Sequence, residues 1–112
     1  MTETIKRVTV QEAMAALNQD KNAVMIDVRE MDEIKAVAPT IGMVCPMSTI
    51  NPLTFHTVNK VTKDQPIYLL CRSGGRSMRV AMVLAEVGFT NLANVEGGII
   101  AWEAAGLTVK KS

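Results

Sequence analysis

Cys71 is the residue whose neighbours best suit it for chemistry. It begins the segment Cys71-Arg72-Ser73-Gly74-Gly75-Arg76-Ser77, which combines a thiol with two guanidinium groups and two glycines. Glycines let backbone N–H groups approach an anion closely, and the N-terminus of a following helix adds partial positive charge. Such a cradle stabilises a thiolate more than a thiol, so it lowers the pKa of a cysteine at its centre. We therefore expect Cys71 to be a nucleophile that faces an anionic substrate.

The two arginines of this segment, called here the Cys71 loop (residues 71–77), are candidate substrate-binding residues. Arg76 closes the loop, and we expect its guanidinium to steady a bound anion and the thiolate. Arg72 is less constrained, so contact with substrate and exposure to solvent are equally good interpretations. Both positive charges are expected to favour ionisation of the thiol.

Hydroxyl and amide donors complete the predicted binding site. Ser73 and Ser77 can donate hydrogen bonds to a bound anion. A second interpretation of Ser77 is that it caps the helix that follows the loop. Gly74 and Gly75 are explained by backbone geometry, with amides that hold the anion.

Two charged residues lie at the end of an apolar run, well before the Cys71 loop. Asp27 and Arg29 follow Val24-Met25-Ile26, where burial of a charge is costly unless the charge is paired or hydrogen-bonded. We expect them to pair with each other and to support the loop, in preference to contacting substrate directly.

Short apolar runs alternate with segments of helical character along the chain. Thr9 and Glu12 have the spacing of a capping box at the start of a first helix. Apolar runs bounded by charge, proline or glycine predict strands, and the segments between them predict helices. The strands are expected over residues 23–28, 43–45 and 66–70, with a final strand that ends at residues 94–95. The later helices are expected over residues 29–34, 48–59, 77–87 and 99–105.

This alternation predicts βαβ crossovers and therefore a parallel α/β sheet covered on both faces. Ligands bind such sheets beyond the carboxyl ends of the strands, where Asp27, Cys45 and Cys71 are all expected. Cys45 has two interpretations: a second thiol that forms a disulfide with Cys71, or a small buried residue. The second interpretation is the favoured one.

Length, charge and cysteine content limit the kinds of protein that this chain can be. The 112 residues suffice for one domain with one core, so residues 1–112 are predicted to be a single domain. A net charge of +1 gives no reason to expect nucleic-acid or membrane binding. Two cysteines are too few for a disulfide framework, which favours the reducing cytoplasm. We expect no metal and no cofactor, because the chain has no cluster of His and Cys residues.

At these residues the chain resembles the rhodanese homology domain, the fold of thiosulfate sulfurtransferase and related sulfurtransferases, in its single-domain form. Three segments in a fixed order carry the resemblance: Ile26-Asp27-Val28-Arg29-Glu30, the Cys71 loop, and Val95-Glu96-Gly97-Gly98-Ile99-Ile100-Ala101-Trp102 with Ala105-Gly106-Leu107 after it. The resemblance implies an open parallel sheet of about five strands with helices on both faces.

The resemblance also implies a reaction. In this family the loop cysteine, here Cys71, takes sulfane sulfur from thiosulfate or another persulfide-like donor and becomes a persulfide. The sulfur then passes to a thiol or cyanide acceptor, and a protein can be that acceptor.

Two other functions remain open from the sequence. One is a non-catalytic module that carries or senses a persulfide, since such a module needs the same cysteine. The other is a phosphatase or arsenate reductase, because relatives of this fold use a cysteine and arginine loop on oxyanions. Those loops place five residues between cysteine and arginine, whereas four separate Cys71 from Arg76. The shorter loop favours a single sulfur atom over a tetrahedral oxyanion.

Overall fold

The computed structural model of the protein describes residues 5–111, so the outermost residues of the predicted domain 1–112 lie outside the described residues. The described chain alternates strands and helices throughout. Its strands are β1 (Ile5–Val8), β2 (Val24–Asp27), β3 (Val37–Pro39), β4 (Met43–Val44), β5 (Ile67–Leu70), β6 (Leu92–Val95) and β7 (Val109–Lys111). Its α-helices are α1 (Val10–Gln19), α2 (Met31–Ala36), α3 (Phe55–Asn59), α4 (Gly75–Glu86) and α5 (Gly98–Ala104), with a 3-10 turn at Met47–Thr49.

Five strands form one sheet in the order β1-β6-β5-β2-β4, and every pairing between them is parallel. The register places Asp27 at the end of β2 opposite Leu70 of β5 and Val44 of β4. The carboxyl ends of these three strands therefore meet at one edge of the sheet. The predicted α/β fold with a parallel sheet of about five strands is confirmed.

Two apolar layers cover the two faces of this sheet. One layer packs α3 and α4 on the sheet and includes Phe55, Val80 and Leu84. The other layer packs α1 and α5 on the opposite face and includes Val10 and the fully buried Trp102. Because side chains alternate between the faces along a strand, Leu70 belongs to the second layer and Cys71, the next residue, to the first.

A small second sheet pairs β3 with β7 in antiparallel orientation. The sequence did not indicate these two strands, nor β1, because each is only three or four residues long, and β1 and β7 contain exposed basic residues. Strand β1 shows the reason clearly: its two central residues are exposed Lys6 and Arg7, as suits an edge strand.

The prediction of one helix over residues 48–59 is wrong. The 3-10 turn Met47–Thr49 and helix α3 are separate, and a turn at Asn51-Pro52 lies between them. The Oδ1 atom of Asn51 accepts a hydrogen bond from the N–H of Leu53 at 3.0 Å. An asparagine side chain that bonds the backbone two residues ahead competes with helix formation, which explains the interruption.

The predicted boundaries of the remaining helices are close to the observed ones. Thr9 and Glu12 form the expected capping box at the start of α1, with distances of 3.0 and 2.8 Å between side-chain oxygens and backbone nitrogens. Helix α4 begins at Gly75, two residues before the predicted start at Ser77, so the Cys71 loop continues into its first turn. Among residues 5–111, no helix combines the length and the apolar character that crossing a bilayer requires.

Candidate active site

Cys71 lies directly after β5, in the centre of the sheet's carboxyl edge, and the loop after it leads into α4. Its side chain is only 1% exposed, so the thiol sits at the floor of the loop. The N-cap of α4, Gly74, follows three residues later, and the partial positive charge of the helix N-terminus favours an anion at this place. The predicted position of Cys71 at the carboxyl end of a strand is confirmed, and its role as the nucleophile stays a prediction.

Several donors point at the thiol. The N–H of Gly74 lies 3.0 Å from Cys71 Sγ, and the Ser77 hydroxyl oxygen lies 3.3 Å from it. Burial raises the pKa of Cys71, but hydrogen bonds from the Ser77 hydroxyl and from the backbone N–H groups of Ser77, Gly74 and Ser73 outweigh it. The net result is a pKa below the ordinary value of a cysteine thiol. This arrangement is suited to hold a thiolate.

The loop backbone requires glycine at one of its two glycine positions. Gly74 has a φ of 113°, in the region that favours glycine, and it forms the N-cap of α4. Gly75 has no such conformation, and a side-chain carbon built on it would meet nothing within 4 Å. Neither the conformation of Gly75 nor its packing requires glycine there, and its role in binding stays a prediction.

Helix α5 supports the loop from behind. The N–H of Ile99 donates to the carbonyl of Cys71 at 2.9 Å, and the N–H of Ile100 donates to the carbonyl of Arg72 at 3.2 Å. Gly98 makes this approach possible, because a Cβ there would lie 2.3 Å from the Cys71 carbonyl oxygen. The loop backbone is thus fixed by the first turn of the last helix.

Asn94 is a site residue that sequence reasoning missed. It is the penultimate residue of β6, is 1% exposed, and accepts a hydrogen bond at Oδ1 from the Ser77 hydroxyl. Its Nδ2 donates to the carbonyl of Gly74 at 3.1 Å and to the carboxylate of Glu96. The signal that could have identified Asn94 is the one used for Asp27, a polar residue near the carboxyl end of a buried strand.

Arg76 is held by an acid from another element. Its Nη1 and Nη2 atoms each lie 2.7 Å from an oxygen of Glu33, in a two-pronged ion pair. This bond from Arg76 lowers the pKa of Glu33 to about 2, against the opposing effect of burial. Glu33 was not predicted as a site residue. The expectation that Arg76 steadies a bound anion stays a prediction.

The pairing of Asp27 with Arg29 is confirmed. Arg29 Nη2 and Nε lie 2.8 and 3.0 Å from the two oxygens of Asp27, and both residues are buried, at 2% and 4% exposed. Arg29 also donates to the carbonyls of Val37 and Glu33, at 2.8 and 3.4 Å. Arg29 thus contacts Glu33, which pairs with Arg76, and support of the loop by the buried pair stays a prediction.

The outer part of the loop faces water. Arg72 and Ser73 are both exposed. The backbone N–H of Ser73 donates a hydrogen bond to the thiol. Contact of the Ser73 hydroxyl and of the Arg72 guanidinium with substrate stays a prediction. Ser77 is buried and is not the N-cap of α4, since Gly74 has that position.

Cys45 is not adjacent to Cys71 at the sheet edge. It follows β4, Cys71 follows β5, and β2 lies between these strands. Two strand spacings amount to roughly 10 Å, whereas disulfides need Cα atoms within about 7 Å. Cys45 is 6% exposed and accepts a weak hydrogen bond from Asn59 Nδ2 at 3.6 Å, as expected for a small buried residue. Within residues 5–111, no group of three or more His, Cys, Asp or Glu residues is placed to hold a metal ion.

Comparison with known proteins identifies relatives along most of the chain. The family model of the rhodanese-like domain matches residues 9–105. The chain is 35% identical to the putative sulfurtransferase YtwF of Bacillus subtilis over 99 residues, covering 88% of this chain and 91% of the relative. It is 30% identical to a sulfurtransferase of Allochromatium vinosum, covering 83% of each. The crystal structure of a rhodanese-like domain protein from Staphylococcus aureus superposes with a TM-score of 0.75 at 30% identity, covering 95% of this chain and 99% of that one.

Proposed function

The chain belongs to the rhodanese-like domain family, and from this membership we propose that it is a sulfurtransferase with Cys71 as its sulfur-carrying residue. The observation that carries the proposal is the thiol itself, which is buried at the floor of a short loop with N–H and hydroxyl donors directed at its sulfur. Relatives named as sulfurtransferases cover most of the chain and support the same reaction class.

In the first half of the proposed reaction, the Cys71 thiolate attacks the outer sulfur of thiosulfate or of another persulfide-like donor. The sulfur–sulfur bond of the donor breaks, and its electron pair leaves with sulfite or a thiolate. A new sulfur–sulfur bond joins the transferred atom to Cys71, which becomes a persulfide. The negative charge remains next to the N–H groups of the loop and the N-terminus of α4, which stabilise it.

In the second half, a thiol or cyanide attacks the outer sulfur of the persulfide. The bond to Cys71 breaks, its electron pair returns to Sγ as a thiolate, and the acceptor leaves as a persulfide or as thiocyanate. The same donors stabilise the charge at the start and end of the cycle. A protein thiol is a further proposed acceptor, since Arg72 and Ser73 at the mouth of the loop are exposed. We also propose that the protein works in the cytoplasm, where such thiols are kept reduced.

Steady-state transfer of sulfur from thiosulfate to cyanide tests this proposal, with thiocyanate as the measured product. Cys71→Ser is expected to abolish turnover. Cys45→Ser is the matched control, because it removes the other thiol of the chain and is expected to leave turnover intact. Absence of turnover in the wild type with every sulfane donor tried would contradict the proposal.

Two further readouts separate the alternative functions. A persulfide that forms on Cys71 and resists both acceptors would identify a carrier or sensor module. Hydrolysis of para-nitrophenyl phosphate would identify an oxyanion enzyme, and we expect none, because the loop spans only four residues between Cys71 and Arg76.

A further inference from the structure

The positive charge of Arg76 is already bound by a carboxylate of the same chain. Two hydrogen bonds of 2.7 Å join its guanidinium to Glu33, and the side chains of both residues are about 30% exposed, at 32% and 28%. Planar two-pronged contacts of this kind are the strong form of an arginine–carboxylate pair. A bound anion would have to share Arg76 with Glu33 or displace it.

A second acid acts on the same guanidinium. Glu30, the N-cap residue of α2, raises the pKa of Arg76 through its charge, after the larger effects of Glu33 and of the Cys71 charge. Its carboxylate is fixed by the N–H of Ser48 at 3.1 Å and by the Ser48 hydroxyl at 2.6 Å. One acid within α2 and the acid at its N-cap therefore oppose one guanidinium of the loop.

Neither of the other two arginines beside the loop offsets these acids. Arg29 is buried and neutralised by Asp27 at 2.8 Å. Arg72 is exposed, so water and salt screen its charge. The charge near the mouth of the loop is therefore much less positive than a count of its arginines suggests.

This balance affects sulfur donors according to their own charge. Thiosulfate carries two negative charges, and the sulfite that leaves carries two as well. A small alkyl hydropersulfide is at most singly charged, and it leaves as a thiolate with the electron pair of the broken sulfur–sulfur bond. Carboxylates beside the site repel the first donor more than the second.

We propose that Glu33 is a specificity-determining residue, which neutralises Arg76 and makes the Cys71 loop prefer persulfide donors of low charge over thiosulfate. This inference rests on the proposed sulfurtransferase function and names the donor class of the same site. Glu33 acts through Arg76, so it is a positioning residue for the reaction.

The test compares the kcat/KM values for two donors, thiosulfate and a small alkyl hydropersulfide whose alkyl group carries no charge. In a two-step transfer through a covalent intermediate, the kcat/KM for the donor does not depend on the acceptor, so one acceptor serves for both. Glu33→Gln keeps the shape of the side chain and an oxygen that can accept the Glu30 N–H, which lies 2.9 Å away. It removes the charge that opposes Arg76. Asp32→Asn is the matched control, because it removes an exposed acid from the same turn of α2.

We expect the ratio of kcat/KM for thiosulfate to that for the hydropersulfide to rise about tenfold in Glu33→Gln, as for a unit charge acting at a partly exposed site. Asp32→Asn should leave the ratio within about twofold of the wild type. An unchanged or lower ratio in Glu33→Gln, or an equal rise in Asp32→Asn, would overturn the inference.

Salt provides a second measurement that needs no variant. Raising the ionic strength should raise the same ratio in the wild type, because salt screens the repulsion between the acids and thiosulfate. A ratio that salt does not change, or lowers, counts against the role of Glu33 even if the Gln variant fails to fold. A wild type that accepts sulfur from neither donor would instead contradict the proposed function, so the two failures are distinguishable.

Discussion

The hydroxyl of Ser77 has three acceptors and only one hydrogen to donate. Cys71 Sγ lies 3.3 Å away, the carbonyl oxygen of Gly74 lies 3.2 Å away, and Asn94 Oδ1 is also in contact. Hydrogen bonds to a charged acceptor are stronger than those to a neutral one, so donation to the sulfur is favoured once Cys71 is a thiolate. Ionisation of Cys71 is thus coupled to which acceptor receives the hydrogen bond of the Ser77 hydroxyl.

Ser77→Ala is therefore expected to raise the pKa of Cys71, since it removes a donor that stabilises the thiolate. At neutral pH the rate of alkylation of Cys71 by iodoacetamide should fall roughly tenfold, the value of one hydrogen bond to a charged group. The measurement is the alkylation rate as a function of pH. Ser73→Ala is the control, because the contact of Ser73 with the thiol is through its backbone N–H. Equal pH profiles for the wild type and Ser77→Ala would contradict this role.

The buried pair of Asp27 and Arg29 predicts a large loss of stability on truncation. Arg29→Ala leaves the Asp27 carboxylate buried without its partner, which typically costs about 3–5 kcal/mol of unfolding free energy. Urea denaturation measures the change. Arg7→Ala breaks an exposed ion pair with Glu96, 3.8 Å long, and should cost at most about 1 kcal/mol. Similar losses in the two variants would show that the burial of Asp27 and Arg29 contributes little.

At the scale of elements, the sequence predicted what depends on local pattern. Strands β2, β5 and β6 are apolar runs, and the capping box of α1 is a four-residue signal, so both could be read directly. Strands β1 and β7 lack such a pattern, β3 is only three residues long, and the pairing partners of all three lie far away in the chain. Edge and two-stranded pairings of this kind are decided by tertiary contacts rather than by local sequence.

The same distinction applies to the site. Cys71, its loop and the Asp27–Arg29 pair were predicted, because each is a compact motif of known chemistry. Glu33 and Asn94 were not, since Glu33 meets Arg76 across 43 residues and Asn94 meets Ser77 across 17. Only the sheet order brings these residues together. The acid that neutralises Arg76 therefore could not be found from the motif that contains Arg76.

The contact between α5 and the Cys71 loop predicts that Gly98 cannot be replaced. In Gly98→Ala the new Cβ would lie 2.3–2.5 Å from backbone atoms of Cys71 and Arg72, at a φ of 55°. The clash and the strained φ together should cost about 3 kcal/mol or more and displace the loop, with loss of sulfur transfer.

Gly106→Ala is the matched control for this strain. Gly106 has a φ of 76°, but a Cβ there would meet nothing within 4 Å, so the cost should be about 1–2 kcal/mol with activity retained. Urea denaturation and a turnover assay on both variants make the comparison. Full activity in Gly98→Ala would show that the loop does not depend on close contact with α5.

At the scale of the whole molecule, one sheet separates two apolar layers, and each layer contains a residue whose signal can report on its unfolding. Trp102 is fully buried in the layer with α1 and α5, and it is the only tryptophan of the chain. Cys45 is buried in the layer with α3 and α4. Since both layers share the strands between them, we expect them to unfold together.

In a Cys71→Ser background, Cys45 is the remaining thiol, so its labelling by a thiol reagent reports on one layer alone. The urea midpoint of Cys45 labelling is expected to coincide with the midpoint of the Trp102 fluorescence change. A small domain of this size normally behaves in this way. Separate midpoints would show that the two faces of the sheet unfold independently.

The most direct test of the central claim is the mass of the intact protein after treatment with a sulfane donor. The reduced protein is mixed with thiosulfate or a small alkyl hydropersulfide and weighed, beside Cys71→Ser treated in the same way. We predict an added mass of one sulfur atom in the wild type and none in the variant. No adduct with any sulfane donor, or an adduct that persists in Cys71→Ser, would contradict the assignment of Cys71 as the sulfur carrier.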